Sequence, residues 1–463
     1  MQRETDVVVI GAGPGGYAAA FMAADLGLKT LLIDKEENPG GVCLYRGCIP
    51  SKALLHAAKV VNEAREASEF GITFSQPEID VEKLAGWKNE VVKKLTGGLG
   101  QLRKARKVDH IQGTAKLVDA NTLSIEGSEE TVRFKHAILA TGSRPVVPGP
   151  LAIDSENVMT SKEALNLENI PETLLVVGGG YIGLELGTVY GSLGSKVTVV
   201  EMQDGLLPGA DRDLVKVLSK NVNNIMHEVL LNTRVVEMVD TLRGVKVTLD
   251  PAREETFEKV LISVGRRPNT ENLGLENTKV QLDKLGFVVT DKQGRTDEPN
   301  IFAIGDISGQ PMLAHRATHQ GRLAAEVIHG SKAVFEPHAI PAVVFTDPEL
   351  AWAGITENEA KEQGIPHKVA RFPWAASGRS LTLGRTDGLT KLVLDPETER
   401  ILGVGIVGPG AGELIAEGTL AIEMAATAED LSLTIHAHPT LSETVMETAD
   451  VFFGTSTHLA GKR

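Results

Sequence analysis

A glycine pattern that occurs twice constrains the fold of this chain more than any other feature. Each copy has an apolar run, at residues 7–10 and 174–177, followed by Gly-x-Gly-x-x-Gly, a helix-forming segment and a second branched run that ends in an acid. In both copies the acid lies 23 residues after the first glycine. This order of strand, glycine turn, helix, strand and acid is typical of a dinucleotide-binding βαβ unit. The sequence therefore predicts an α/β fold with two Rossmann-like domains.

The glycines and the acid have separate tasks in such a unit. The first glycine permits the tight turn, the second lets the backbone approach a pyrophosphate, and the third lets helix and strand pack closely. The acid accepts a hydrogen bond from a ribose hydroxyl. These positions are Gly11, Gly13, Gly16 and Asp34 in the first copy, and Gly178, Gly180, Gly183 and Glu201 in the second. Two complete units indicate two dinucleotides, most simply a flavin and a nicotinamide; a second unit that binds nothing is the alternative.

The only two cysteines of the 463 residues lie between these units. Cys43 and Cys48 are separated by four residues, and Lys52 follows where a helix is predicted to begin, near Ser51. Thiols this close can exchange a disulfide and a dithiol, whereas zinc would require two further ligands that the stretch does not supply. The dipole at the start of a helix would also favour the thiolate of Cys48. A redox pair is therefore expected rather than a metal site or two inert thiols.

Composition excludes several other classes. A net charge of −14 argues against nucleic acid or an anionic membrane surface as partner, and solubility is its simplest explanation. We expect no secretory signal before the apolar run at residues 7–10, and no apolar stretch is long enough to span a bilayer. Without a framework of structural disulfides, a cytoplasmic location is expected.

In the last part of the chain the pattern of apolar residues changes, and there is no nucleotide-binding motif. Strands of an antiparallel sheet are predicted at residues 343–345, 391–394 and 401–407, with helices at 413–426 and 442–452. This pattern indicates a separate α+β unit.

Several motifs together resemble one family over essentially the full length. They are the cysteine stretch at residues 40–52, both glycine loops, Ala140-Thr141-Gly142, Ile304-Gly305-Asp306, Met312-Leu313-Ala314-His315, and residues 435–443 from Ile435 to Glu443. The chain resembles the pyridine nucleotide-disulfide oxidoreductases, and within them the branch that oxidises dihydrolipoamide. The domains expected from this resemblance are residues 1–148 for FAD and the redox pair, 149–270 for NAD, 271–338 completing the FAD domain, and 339–463 for dimerisation.

The resemblance also implies a reaction. Dihydrolipoyl groups on carrier proteins would be oxidised to the disulfide through Cys43, which meets the substrate, and Cys48, which meets FAD, with NAD⁺ as final acceptor. Lys52 and Glu185 would form an ion pair beside the flavin. His438, oriented by Glu443, would act as base on the cysteines of the other subunit of a homodimer. His436 is interpreted as structural, because only His438 falls on the motif position.

Further cofactor contacts follow from the same resemblance. For FAD they are Lys35, Gly41, Val42, Lys52, Gly113, Thr141, Gly142, Asp306, Met312, Leu313, Ala314 and His315. For NAD they are Tyr181, Ile182, Glu185, Val235, Val264 and Gly265. The carboxylate of Glu201 would accept from a 2′-hydroxyl and repel a 2′-phosphate, so NAD is favoured over NADP.

The sequence leaves two alternative functions open, and it departs from the usual family pattern at one place. A related NAD(P)H-dependent disulfide reductase, or a docking subunit of a lipoyl complex, could carry similar motifs. The lipoyl carrier could belong to a 2-oxoacid dehydrogenase, to glycine cleavage or to another lipoyl-dependent system. Between the cysteines the family commonly has Asn-Val, whereas this chain has Tyr45-Arg46. This pair could match an acidic carrier or could be a tolerated variation.

Overall fold

The computed structural model describes residues 2–251 and 253–460, and its first part contains the first glycine unit and both cysteines. Its helices and strands are β1 (Gln2–Ile10), α1 (Pro14–Asp25), β2 (Thr30–Asp34), α2 (Gly41–Arg46), α3 (Cys48–Glu66), α4 (Val81–Ala105), β3 (Asp109–Gln112), β4 (Ala115–Asp119), β5 (Thr122–Ile125), β6 (Thr131–Leu139) and β7 (Ser143–Pro145). The sheet runs in the order β3-β2-β1-β6-β5-β4, with its β3-β2-β1-β6 part parallel. The carboxyl ends of these parallel strands meet at one edge, where ligands bind in such sheets.

The second part repeats this parallel arrangement and adds a small sheet. Its elements are β8 (Val158–Met159), α5 (Ser161–Ala164), β9 (Thr173–Val177), α6 (Tyr181–Leu193), β10 (Lys196–Val200), α7 (Arg212–Ile225), β11 (Glu228–Leu230), β12 (Arg234–Thr241), β13 (Gly244–Asp250), β14 (Arg253–Phe257), β15 (Lys259–Ile262) and β16 (Arg266–Pro268). The parallel sheet has the order β11-β10-β9-β15-β8, and β12-β13-β14 form a separate antiparallel sheet. No motif in the sequence had indicated this three-stranded addition.

The chain then returns to the first sheet. Strand β17 (Ile301–Ala303) pairs in parallel with β6, and α8 (Ala314–Ile328) packs on α1. The two helices touch through their backbones, since a Cβ on Gly321 would lie 2.2 Å from the Gly15 carbonyl oxygen. Strands β7 and β16 pair with each other in an antiparallel ladder, and each forms the end of a Gly-x-Arg-Pro segment, at residues 142–145 and 265–268. Both nucleotide units are therefore joined at the edge where the sites lie.

The last part is a five-stranded antiparallel sheet flanked by helices. Its elements are β18 (Ala342–Val344), β19 (Glu349–Gly354), α9 (Glu357–Glu362), β20 (Lys368–Pro373), α10 (Gly378–Thr382), β21 (Leu389–Leu394), β22 (Ile401–Gly408), α11 (Ala411–Glu423), α12 (Ala428–Leu433) and α13 (Glu443–Phe453). The strand order is β18-β19-β22-β21-β20. None of the helices in the described ranges is long and apolar enough to cross a bilayer.

A buried ionic cluster fixes this last sheet to the second nucleotide unit. The side chain of Lys391 on β21 is only 1% exposed, and its Nζ lies 2.8 Å from Asp211, 3.0 Å from Asp213 and 2.6 Å from Glu357. Arg371 Nε on β20 adds a contact of 2.6 Å to Asp213. A buried ammonium is tolerated only when carboxylates replace its lost hydration. The junction therefore depends on all of these charges being present together.

We expect Lys391→Met to lower the free energy of unfolding by about 3–5 kcal/mol, because it removes the cation from the buried Asp211, whereas Asp213 and Glu357 keep their contacts with Arg371. Denaturant unfolding at fixed protein concentration measures the change. Lys246→Met is the matched control, since Lys246 forms a 2.7 Å pair with Glu254 that is exposed on both sides. An equally stable Lys391→Met protein would show that the cluster does not hold the junction.

Candidate active site

A cavity of about 800 Å³ lies where the first sheet, the cysteine stretch and helix α6 meet. Its wall contains the first glycine loop, Asp34, both cysteines and Lys52. Helix α6 of the second unit contributes Tyr181, Ile182 and Glu185 to the same wall. The redox pair and parts of both nucleotide units therefore line one shared cavity.

The first glycine loop is shaped to receive a phosphate group. Gly11 adopts φ +100°, and a Cβ there would lie 2.3 Å from the Ala140 carbonyl oxygen. At Gly13 the space is open, with Gly41 Cα at 4.0 Å as the nearest atom to an added Cβ. Helix α1 begins directly after Gly13, so its unpaired N–H groups and positive dipole end face this space. The loop fits the pyrophosphate of a dinucleotide.

The acid of this unit is fixed beside the loop. Asp34 Oδ2 accepts from the Ala12 N–H at 2.6 Å, and Oδ1 accepts from the Glu36 N–H at 2.9 Å. Each carboxylate oxygen keeps a second lone pair for a ribose hydroxyl. Together with the glycine loop, this geometry fits FAD in the cavity.

The second unit repeats this arrangement. Gly178 has φ +110°, a Cβ on Gly183 would lie 2.2 Å from the Gly178 carbonyl oxygen, and nothing lies within 4 Å of a Cβ placed on Gly180. Glu201 is buried, and its Oε2 accepts from the Gly179 N–H at 2.7 Å while Oε1 accepts from the Gln203 N–H at 2.8 Å. The second loop therefore fits a second dinucleotide in the same manner as the first.

The two cysteines lie on consecutive helices. Cys43 is on α2, and Cys48 is the first residue of α3, so the helix begins three residues before the predicted start near Ser51. Pro50 does not prevent this, because N–H groups in the first turn of a helix have no intrahelical partner to lose. Both residues are free thiols here, and Cys48 is the more exposed of the two within the cavity wall.

The surroundings of the pair make its two thiols unequal. The hydrogen bond from Cys43 and the nearby Lys52 ammonium together lower the pKa of Cys48 to about 7, against the opposing effect of burial. The same hydrogen bond and burial raise the pKa of Cys43. Cys48 is therefore the thiol that ionises first, next to the cation on its own helix.

Lys52 connects three parts of the molecule. Its Nζ lies 2.7 Å from Glu185 Oε2 on α6 and 4.5 Å from the centroid of the Phe345 ring, just after β18. Glu185 is 3% exposed, and its Oε1 accepts from the Phe345 N–H at 3.0 Å. The predicted Lys52–Glu185 pair is formed, and it faces the cavity.

Most of the predicted FAD contacts line the cavity, but two do not. Those that do, besides the first glycine loop, Asp34 and Lys52, are Lys35, Gly41, Val42, Gly113, Thr141, Gly142, Asp306, Met312 and Ala314. Leu313 and His315 lie outside the lining, and His315 Nε2 instead contacts the Pro341 carbonyl oxygen at 2.8 Å. Among the predicted NAD contacts, only Tyr181, Ile182 and Glu185 line this cavity, and the others lie outside it: Gly178, Gly180, Gly183, Glu201, Val235, Val264 and Gly265.

A small polar network in the cavity wall was missed by the sequence analysis. The Ser143 hydroxyl donates to Asp306 at 2.5 Å and accepts from Arg266 Nε at 2.8 Å. Ser143 and Arg266 belong to the two Gly-x-Arg-Pro segments that pair in the β7–β16 ladder. The duplication of this segment was the available signal for its involvement in the site.

The two candidate histidines of the last unit have opposite environments. His438 Nδ1 contacts Glu443 Oε1 at 2.9 Å, and its side chain is 73% exposed. His436 is 5% exposed, with Nε2 at 2.6 Å from Glu417 and Nδ1 at 2.8 Å from the Thr434 carbonyl oxygen. Only His438 presents its ring to solvent, and neither it nor Glu443 lines the cavity that contains the cysteines.

Glu443 is itself held in place. Its Oε2 accepts from the Thr440 N–H at 2.8 Å. Partial burial acts to raise the pKa of Glu443, but the Thr440 N–H and the His438 ring outweigh it, so the pKa is lowered overall. The carboxylate stays charged and can hold the His438 ring in one orientation.

Comparison with known proteins identifies the class of protein. The model of the pyridine nucleotide-disulphide oxidoreductases matches residues 5–321, and that of their dimerisation domain matches residues 340–449. The chain belongs to this family, whose members use FAD and NAD.

Individual proteins of this family resemble the chain over nearly its full length. The chain is 49% identical to a dihydrolipoyl dehydrogenase from Vibrio cholerae, covering 98% of this chain and 97% of the relative. It is 47% identical to that of Bacillus subtilis, covering 98% of each. Among solved structures it resembles LpdA from Mycobacterium tuberculosis, with a TM-score of 0.89 and 28% identity over 96% of this chain and 99% of that one. The HOCl-induced flavoprotein disulfide reductase RclA from Escherichia coli matches with a TM-score of 0.87, 28% identity and the same coverage.

The pKa of Cys48 can be tested in Cys43→Ser, where Cys48 is the only thiol and a hydroxyl still donates to it. Because Lys52 stabilises the thiolate, we expect the iodoacetamide alkylation rate to rise with pH at a midpoint below the ordinary thiol range, and Lys52→Met to move that midpoint to higher pH. Lys59→Met, on the same helix but in an exposed pair with Glu63, should leave the midpoint in place. Equal midpoints with and without Lys52 would contradict this account.

Proposed function

We propose that this chain is a dihydrolipoyl dehydrogenase: it oxidises dihydrolipoyl groups on carrier proteins to the disulfide and reduces NAD⁺ to NADH through Cys43, Cys48 and FAD. The observation that carries the proposal is the unequal thiol pair beside Lys52–Glu185, in a cavity that borders both nucleotide units. The family membership and the names of the curated relatives support it.

The pair would react from its disulfide form. A substrate thiolate attacks the sulfur of Cys43, the Cys43–Cys48 bond breaks, and Cys48 leaves as a thiolate. The second substrate thiol, once deprotonated, displaces Cys43 from the mixed disulfide, so the substrate is oxidised and the enzyme pair is reduced by two electrons. A thiol of lower pKa is the better leaving group, which suits Cys48 beside Lys52.

The nucleotides remove these electrons. FAD held at the Asp34 loop would supply the acceptor for the electron pair of the dithiol, and NAD⁺ held at the Glu201 loop would take that pair as hydride. The chain's own contribution is to hold the two dinucleotides at the Asp34 and Glu201 loops and to keep Cys48 and Lys52 in the wall of a cavity that helix α6 also lines. The buried carboxylate of Glu201 would exclude a 2′-phosphate, which favours NAD over NADP.

Proton removal from the substrate requires a base, and the His438 ring, oriented by Glu443 at 2.9 Å, is the candidate. Since His438 lies outside the cavity of its own chain, we propose that it completes the site of a second copy. The dimerisation-domain match supports a homodimer. Exposed apolar side chains beside the dyad, with Ile435 at 96% exposure, would be covered in that assembly.

The proposed carriers are the lipoyl domains of a 2-oxoacid dehydrogenase, of glycine cleavage or of another lipoyl-dependent system. We propose a cytoplasmic location, because a thiol pair that must cycle through its reduced form suits a reducing compartment.

A steady-state assay tests the proposal directly. NAD⁺ and NADP⁺ are each offered with dihydrolipoamide, reduced glutathione and lipoylated carrier proteins, and we expect turnover with NAD⁺ and the dihydrolipoyl substrates. Preference for glutathione and NADP⁺ would favour a related disulfide reductase. A Cys48→Ser protein that still supported its pathway would favour a docking subunit.

The two histidines give a matched pair of variants. We expect His438→Gln to lower kcat for dihydrolipoamide oxidation by about 10²–10⁴-fold, because the substrate thiol loses its base. His436→Gln, which removes a buried ring paired with Glu417, should change kcat far less and act mainly on thermal stability. Similar kcat values for His438→Gln and the wild type would rule out this assignment of the base.

A further inference from the structure

The two residues that depart from the family pattern between the cysteines both bind the segment after β2. Arg46 Nη2 donates to Glu36 Oε1, and the Tyr45 hydroxyl donates to the Asn38 carbonyl oxygen at 3.0 Å. The Arg46 and Glu36 side chains are 34% and 28% exposed, so their contact is partly shielded from water. The guanidinium already has an internal carboxylate partner, which removes the main reason to assign it to an acidic carrier.

This contact lies beside the proposed FAD site. Arg46 lines the cavity together with Asp34, whereas its partner Glu36 is not part of the lining. The Glu36 N–H in turn donates to Asp34, the acid placed for the ribose. The Gly40 N–H donates to the Ala12 carbonyl oxygen at 2.8 Å, so the segment from 34 to 46 curves back onto the glycine loop. Arg46 thus closes a ring of contacts around one end of the cavity.

Helix α2, which carries Arg46, depends on such contacts for its position. It has six residues, and a helix this short does not hold itself together in water. Leu44 is buried, and Tyr45 and Arg46 supply the two tethers to the segment after β2. Helix α4 leaves room for the tethered segment, because a Cβ on Gly100 would lie 2.0 Å from Asn38 Oδ1.

We propose that Arg46 and Glu36 form a latch that holds α2 across the adenosine end of the cavity and slows the release of bound FAD. The Tyr45–Asn38 hydrogen bond is the second point of the latch. Opening the ion pair frees Arg46 from its anchor and so loosens part of the cavity wall. The inference rests on the use of FAD by this family. In this account Tyr45 and Arg46 help to retain the cofactor and do not recognise the carrier protein.

The test measures FAD release from purified holoenzymes without dithiol substrate, by flavin fluorescence after dilution into an excess of a flavin-binding apoprotein. We expect Arg46→Gln and Glu36→Gln each to speed release about fivefold, equivalent to about 1 kcal/mol for a partly exposed pair. The double variant should match the single variants within about twofold, since all three break the same contact. Arg3→Gln is the control: it breaks a 3.0 Å pair with Glu130 of similar exposure, away from the cavity lining, and should leave release unchanged.

Several outcomes would overturn the latch. The first is a rate of FAD release in Arg46→Gln equal to that of the wild type. The second is a double variant in which the increases in release rate of the two single variants multiply. Slower turnover of lipoylated carriers alone, with FAD release and free dihydrolipoamide turnover unchanged, would instead assign Arg46 to carrier recognition. If the single variants do not accumulate as holoenzyme, the charge-swapped Arg46→Glu, Glu36→Arg protein decides: restored retention supports the latch, and absent retention contradicts it. Because no dithiol is present, these results do not depend on which dithiol the enzyme oxidises.

Discussion

The active site depends on one buried carboxylate, Glu185. Moving a carboxylate out of water is unfavourable unless charge and hydrogen bonds replace its hydration. For Glu185 these come from Lys52 on α3 and from the backbone N–H of Phe345, so three parts of the chain must be in place at once. The helix that begins with Cys48 is thereby aligned with α6 of the second nucleotide unit. The Lys52–Glu185 contact therefore positions the redox pair relative to the second nucleotide unit.

The two nucleotide units fix their acidic residue beside the glycine loop with the same geometry. In each, the acid at the end of the second strand is bound to an N–H of the glycine loop: Asp34 to Ala12 and Glu201 to Gly179. This bond stiffens the loop and fixes the carboxylate before any ribose arrives, which lowers the conformational cost of binding. The difference of one methylene between Asp34 and Glu201 does not change this arrangement.

Features that depend on neighbouring residues could be predicted from the sequence, and features that depend on distant contacts could not. The glycine loops, the cysteine pair and the acids follow local spacing, and the strands predicted from these patterns are formed, although strands such as those of the β12-β13-β14 sheet were not predicted. The role of Lys52–Glu185 came from family resemblance, since 133 residues separate the partners. The contact of Arg46 with Glu36 has no signal in the sequence, and the only signal for the Ser143–Asp306–Arg266 network is the duplicated Gly-x-Arg-Pro segment. The helix was predicted to begin near Ser51 but begins at Cys48, which is possible because Pro50 is tolerated in the first turn of a helix.

The return of the chain to its first sheet affects the order of folding during synthesis. Strand β17 and helix α8 supply the outer parallel strand and the partner of α1, yet they lie about 300 residues after β1. A nascent chain ending at residue 300 would lack both, and apolar residues such as Val7 and Ile138 would be less completely covered. The second nucleotide unit is formed by one continuous segment of the sequence and can fold during translation. The first unit, although it is made earlier, becomes competent to capture its flavin only after the second has been translated.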